Sequence, residues 1–365
     1  MPASYLDMAR DLIRIPSTAD RPDALRAAIA YAARALAGAP GCTIDRFERN
    51  GKPSLVARTR ETRTPRVLLL GHLDVVPAPP ALFTPREEHG QLIGRGACDM
   101  KSEVAVMLDC LRELVASATT PPDIALAITS DEEIGGRDGA AYLVDHLGYR
   151  PAVVFVPDGG EALEEIVRMS KGVLHVRLTA RGTSAHGSHP WLGANAIETL
   201  VAAALRIRHA FPDRDIAEHW HDTCSIGTIA GGRATNQVPD LASCTIDLRY
   251  TEATDPDALL VRVRSLAAPC AVGVIAAGPV RETAPDDPYL MRYTDVVRKT
   301  IGREIRFTRT HGADDGRHFA AHDVPIIVSR PRSGGQHSAE EWVDLSSLEE
   351  FRQCLRMFLA EVFAG

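Results

Sequence analysis

Two short segments concentrate the groups that could do chemistry in this chain. In Gly71–His72–Leu73–Asp74–Val75, His72 can offer one ring nitrogen to a zinc ion while Asp74, two residues on along the same side of an extended segment, holds the other. The same spacing suits a loop histidine bonded to a carboxylate, so the pair alone does not specify a metal. In Thr129–Ser130–Asp131–Glu132–Glu133–Ile134–Gly135–Gly136, three acids stand in a row. Neighbouring carboxylates are costly to bury unless water, cations or a catalytic proton demand absorbs their charge, and a solvated acidic turn is the other reading. A further acid, Asp99, lies in Gly94–Arg95–Gly96–Ala97–Cys98–Asp99–Met100–Lys101. Cys98 beside it is not expected to be a nucleophile, because hard carboxylates dominate the adjacent chemistry.

These segments need elements to position them. Short, almost continuously apolar runs at Arg66–Leu70, Ile124–Thr129 and Ala152–Val156 predict parallel strands covered on both faces. Helical periodicity appears around Asp23–Ala37, and Val104, Met107, Leu108, Leu111 and Val115 recur on one helical face. Asp99 then sits in the loop leading into a helix on the sheet, and the chemistry falls on strand-end loops. After Lys171 the pattern changes. Leu174, Val176, Leu178 and Ala180 alternate with His175, Arg177 and Thr179, which predicts a strand with one exposed face. A helix at Asn195–Arg208, strands near Thr223–Ile229 and Leu241–Arg249, a helix at Pro256–Ala267 and a strand near Cys270–Ile275 complete a β-α-β-β-α-β, ferredoxin-like order. Helix and strand signals resume at Asp287–Thr300, Pro325–Ser329 and Leu348–Val362. The reading is an α/β fold with an inserted small domain: a first catalytic segment 1–171, an insert 172–277 and a second catalytic segment 278–365. Gly278–Tyr289 is the expected return hinge.

Length and composition agree with that division. At 365 residues the chain exceeds what one hydrophobic core usually supports, and 45% hydrophobic with 24% charged residues is globular. No apolar run approaches the roughly 20 residues of a membrane helix, and the N-terminus lacks a basic, apolar leader, so a cytoplasmic protein without a membrane partner is expected. A formal charge of −7 gives no attraction to phosphate backbones, so nucleic acid is not an expected partner. The seven cysteines are dispersed, without a C-x-x-C pair, and are read as reduced thiols.

GHLDVVP at Gly71–Pro77, GRGACDMK at Gly94–Lys101, TSDEEIGG at Thr129–Gly136, PDGG at Pro157–Gly160 and GGQHSAEE at Gly334–Glu341 occur in that order. The insert adds GTSAHGSHP at Gly182–Pro190, TNQVPD at Thr235–Asp240 and DLR at Asp247–Arg249. Together they resemble the M20 metallopeptidases, which include amino-acid deacylases, desuccinylases, carboxypeptidases and dipeptidases. The resemblance spans nearly the whole chain. It implies a zinc-exopeptidase-like α/β/α catalytic domain with an inserted ferredoxin-like lid and dimerisation domain, and a homodimer formed through that insert.

It also implies roles, residue by residue. Asp99 bridges two zinc ions, for which Co2+ or Mn2+ can substitute; His72 and Asp158 complete one ion's ligands, and Glu133 and His337 the other's. Glu132 is the general base for a metal-bridging hydroxide, and Asp74 supports His72. His186 donates to the developing oxyanion; His189 is read as a cap or surface group and His175 as an ordinary strand histidine. Asn236 and Arg249 contact a small amino-acid-derived substrate, the guanidinium offering a bidentate clamp for a free carboxylate. Asp158 in VPDGG looks more like the dipeptidase branch than the deacylases, so a dipeptide is the expected substrate. An N-acyl-amino-acid deacylase, acetylornithine- or succinyl-diaminopimelate-like, is the alternative. A non-catalytic metal-binding or regulatory homologue is the alternative of another class.

Overall fold

The computed structural model describes residues 3–212 and 219–364. By their contacts the residues form two compact units, Met1–Met169 with Glu282–Gly365, and Ser170–Arg281.

The larger unit is built on a mixed sheet. Its centre is four parallel strands in the spatial order Ile124–Thr129, Val67–His72, Val153–Val156 and Ile326–Val328. Every residue of these strands is buried, as expected of parallel strands covered on both sides. Period-two alternation divides them. Leu69, Leu126, Ile128 and Phe155 join one core with helices Lys101–Ser117, Pro288–Ile301 and Leu345–Phe363. Leu68, Leu70, Ala125, Ala127, Val154 and Val156 join a second core with Leu143 and Phe319, from helices Ala140–Asp145 and Gly316–Ala320. The result is a three-layer α/β/α unit.

Three features lie outside the sequence expectation. A hairpin, Thr43–Arg49 with Lys52–Arg58, extends the sheet antiparallel to Ile124–Thr129. The helix Lys101–Ser117 is buried over most of its surface, Ser102, Glu103 and Asp109 included, rather than on one apolar face. It packs against Tyr5–Ile13 and Leu345–Phe363 as well as the sheet, so even its polar positions meet protein. A small antiparallel sheet, also unanticipated, runs Ser333–Gly334, Trp342–Asp344, Gln91–Ile93 and Arg86–Glu88. The loops it carries hold Asp99 and His337.

The smaller unit has four antiparallel strands in the order Thr223–Gly231, Leu241–Tyr250, Gly172–Arg181, Ala271–Gly278. Helices Ala196–His209 and Pro256–Ala267 cover one face through Leu174, Val176, Leu178, Leu200, Ile246 and Val263. With helices after the first and third strands, this is the ferredoxin-like order. Asn195 and Asp255 cap the two helices, their side chains accepting from main-chain N–H groups of the first turn. Among the described residues no helix is long and apolar enough to cross a membrane.

Candidate metal centre

The four parallel strands all end at the same edge, where open α/β sheets place their ligands. Val67–His72 ends on His72, Ile124–Thr129 leads into Glu132 and Glu133, and Val153–Val156 leads into Asp158. The small sheet contributes Asp99 and His337 from its loops. Two groups of ligand atoms result, His72 with Asp99 and Asp158, and Asp99 with Glu133 and His337. Asp99 is common to both.

In the first group, His72 Nε2 lies 3.0 Å from Asp99 Oδ1 and 3.8 Å from Asp158 Oδ2. In the second, His337 Nε2 lies 3.1 Å from Asp99 Oδ2 and 3.2 Å from Glu133 Oε2. Gln336 Nε2 donates to the same Asp99 oxygen at 2.8 Å. His72 Nε2 and Asp99 Oδ1 are buried and neither makes a hydrogen bond. Two such atoms facing one another are expensive without a cation between them, and an imidazole and carboxylate donor set is one zinc accepts. The residues present therefore fit a pair of zinc ions.

Titration follows the same logic. The carboxylates of Asp74 and Asp99 outweigh burial and hold His72 well above the usual histidine range. Hydrogen bonds to Asp99 and Glu133 raise His337 to about 10. Burial would raise Asp99, but His337, His72 and Gln336 keep it far below an ordinary carboxyl. Burial, with Asp99 beside it, lifts Asp158 to about 7.

Asp74 meets His72 through its main chain as well as its side chain. His72 Nδ1 sits 3.0 Å from the main-chain oxygen of Asp74 and 3.4 Å from Oδ1. The main-chain carbonyl thus accepts from Nδ1–H, and Nε2 is the nitrogen that faces Asp99 and would bind a metal ion on giving up its proton. The Asp74 carboxylate also accepts from Glu132 N at 3.2 Å and Glu133 N at 3.0 Å. It fixes the turn Glu132–Ile134, from which Glu133 enters the second group and Glu132 enters neither. Burial pushes the Glu132 carboxyl well up, Asp315 and Asp158 add to that, and His72 and Arg317 offset part of it.

Several contributing residues escaped the sequence reading. Glu341 is wholly buried; its Oε1 accepts from the N–H groups of Gly96, Cys98 and Asp99 at 2.9 to 3.2 Å, and its Oε2 pairs with Arg95. It shapes the loop that presents Asp99. Arg317 Nη1 lies 3.5 Å from Glu132 Oε1, and Arg317 also donates to Gly135 O and Asp314 O. Gly136, at φ +63°, leaves room for Asp315, whose Oδ1 would stand 2.0 Å from an added Cβ. Glu341 lay inside a quoted motif without a role. The Asp314–His318 run offered only charge, which a surface helix would show equally.

The remaining expected site residues belong to the smaller unit. His186 and Asn236 sit on adjoining segments, Gly187 N donating to Asn236 O at 2.7 Å. A Cβ at Gly187 would meet Asn236 main-chain atoms at 3.0 to 3.2 Å, so a side chain there would push the two segments apart by a few tenths of an ångström. Arg249 is engaged by Asp247 two residues before it, Nε to Oδ1 at 2.8 Å and Nη2 to Oδ2 at 3.2 Å. Asp247 also faces His175 Nε2 at 3.1 Å, directly across the sheet register. None of the seven cysteines is in a disulfide.

The sequence profile of Peptidase family M20/M25/M40 matches residues 68–361. The chain belongs to that family. This M20 protein is 29% identical over 374 residues to the succinyl-diaminopimelate desuccinylase of Bordetella parapertussis, covering 98% of this chain and 97% of that one. Against the desuccinylase of Paracoccus denitrificans it is 28% identical over 356 residues, covering 90% and 91%. Among solved structures, an M20 family metallo-carboxypeptidase from Sulfolobus solfataricus matches with a TM-score of 0.80 at 16% identity over 98% of both chains. A tripeptidase from Staphylococcus aureus matches at 0.76 and 19% identity, over 99% of this chain and 98% of that one. These two share the fold. With two ligand groups suited to a dinuclear metal centre in an M20 fold, the protein is a metal-dependent hydrolase.

Proposed function

We propose that this M20 hydrolase cleaves the amide bond of a small amino-acid-derived substrate with a free carboxylate. His72, Asp99, Asp158, Glu133 and His337 hold two zinc ions, and Glu132 is the general base. One observation carries the reading: the two ligand groups share Asp99 and take Glu133, while the adjacent Glu132 stays outside both. Zinc bound there supplies a Lewis acid for the scissile carbonyl and makes water easier to deprotonate. Glu132 takes the proton of the attacking water and returns it to the leaving amine. Its raised pKa suits a group that must both accept and donate. Asp74 holds Glu132 in place through the main chain.

The unit Ser170–Arg281 acts as lid and dimerisation domain, closing over the substrate and excluding water. His186 donates to the oxyanion, and Asn236 and Arg249 contact the substrate. Asp247 holds the Arg249 fork in plane and leaves Nη1 for a substrate carboxylate. Seven cysteines without a disulfide suit a reducing cytoplasm.

Two substrate classes fit. Asp158, shorter than a glutamate at this ligand position, supports a dipeptide. Relatives matched over 98% of the chain are succinyl-diaminopimelate desuccinylases, which supports an N-acylated amino acid as the second reading. Matched dipeptides and N-acetyl or N-succinyl amino acids, compared by kcat/KM on zinc-loaded enzyme, separate them. A preference for blocked substrates of at least about 100-fold, roughly 2.7 kcal/mol, overturns the dipeptide. No hydrolysis of either class at full zinc loading overturns the proposal.

A further inference from the structure

His186, Ser188 and His189 form a hydrogen-bonded chain whose direction can be read atom by atom. The main-chain N–H of Ser188 reaches His186 Nδ1 at 3.2 Å. An N–H can only donate, so His186 Nδ1 carries a lone pair. Ser188 Oγ lies 2.7 Å from the same nitrogen and must give it its single proton. The remaining contact, 3.0 Å between Ser188 Oγ and His189 Nδ1, then leaves His189 as the donor. Only one assignment satisfies all three contacts: His189 Nδ1–H to Ser188 Oγ–H to His186 Nδ1.

Local geometry supports the chain. His189 N donates to His186 O at 2.8 Å, closing a turn that brings both rings to the Ser188 hydroxyl. The His186 and His189 ring centroids are 5.9 Å apart at 63°, and His189 meets Trp191 edge-on at 5.3 Å and 79°. Gly187 ties the same turn to Asn236.

We propose that Ser188 and His189 are positioning residues that hold neutral His186 with its proton on Nε2. In that tautomer Nε2–H can donate to an oxyanion; in the other, Nε2 presents a lone pair to a developing negative charge and repels it. The inference rests on the proposed oxyanion role of His186, and gives His189 a function that its sequence position does not suggest. These side chains are exposed. Removing the hydroxyl leaves the main-chain donor on His186, so its loss weakens the preference without abolishing it.

Long-range 1H–15N correlation spectra of the zinc-loaded enzyme at about pH 8, where an ordinary histidine is neutral, read the tautomers directly. Assignment uses the spectra of H186A and H189A. The expected result is His186 protonated at Nε2 and His189 at Nδ1. In S188A, His189 loses its acceptor and moves toward the Nε2–H form, kcat falls about ten-fold with KM little changed, and S188T restores both. The fall is smaller than the about 10²- to 10³-fold typical of deleting an oxyanion donor outright, which H186A should approach. His186 protonated at Nδ1, His189 at Nε2, or S188A rings unchanged from wild type would overturn the chain. Full turnover in H186A would instead overturn the oxyanion reading and leave the tautomer assignment standing.

Discussion

Glu132 and Glu133 are adjacent yet are proposed to do different work, because the Asp74 carboxylate binds both of their main-chain N–H groups and fixes which way the turn presents each side chain. Replacing Glu132 by glutamine keeps shape and removes basicity. Turnover should fall by at least about 10²-fold while zinc content, measured by atomic absorption, stays near wild type. Near-normal turnover at full zinc load would assign the proton transfer to another group. Glu341 makes a structural prediction of the same kind. It satisfies three main-chain N–H groups and Arg95 from a fully buried position. Glu341→Ala strands those donors, and urea denaturation of the zinc-free protein should show a loss of about 3–5 kcal/mol. Using zinc-free protein separates this cost from weaker metal binding, and an unchanged midpoint would show that the loop does not depend on Glu341.

The parallel strands carry the site because their buried alternation locks them against both helical layers. Phe155 illustrates the load: fully buried, it packs against Tyr293, Phe351 and Phe358 at centroid distances of 5.1, 6.1 and 6.2 Å. Phe155→Ala should cost about 3–5 kcal/mol in denaturant unfolding, and a cost below about 1 kcal/mol would mean that the layers repack freely. In the smaller unit the exposed sheet face is organised by Asp247. Burial alone would raise its pKa, but His175 and Arg249 pull it from 3.8 to about 2. A carboxylate depressed in the folded state contributes stability above its unfolded value and loses it as pH falls through the folded one. The difference in thermal midpoint between wild type and Asp247→Asn should therefore be full above pH 3.8 and shrink toward about pH 2. A difference independent of pH across that window would mean that the Asp247 charge does not contribute.

At the scale of the whole molecule, metal and fold are linked. The proposed ligands, drawn from segments as far apart as His72 and His337, exist as a set only in the folded chain, so a metal ion held by them would bind that state preferentially. Free zinc at about 100 times its dissociation constant should stabilise the protein by about 2.7 kcal/mol, seen as a rise in unfolding midpoint that chelation reverses. No shift in the midpoint would show that the five residues do not form a zinc site. Assembly is tested separately. The proposed homodimer should sediment as a dimer at working concentration, and a fully active monomer would overturn it.

Chemistry-bearing residues were legible because few positions carry so much: a histidine, paired acids and glycines in motifs quoted in chain order named the five proposed ligands before any geometry. Parallel strands were legible from apolar runs, and the insert from its change to alternation, since both patterns record which faces are covered. The hairpin Thr43–Arg49 with Lys52–Arg58, and the small sheet that carries the Asp99 and His337 loops, were not legible. In the small sheet, strands of two or three residues have too few positions to show a period, and the pairing of Trp342–Asp344 with Gln91–Ile93 joins segments more than 240 residues apart. Partner choice among polar groups was equally hidden. Sequence placed Asp74 beside His72 and His189 beside His186, but which nitrogen meets which oxygen depends on angles of a few tens of degrees. Hydrogen bonds reward such angles steeply, and residue order alone does not encode them. Pattern determined the layers, and the motifs, through the family they resemble, named the proposed ligands; tertiary packing alone decided that the Asp74 carboxylate also holds the glutamate turn and that Glu341, buried and silent in the pattern, shapes the loop of Asp99.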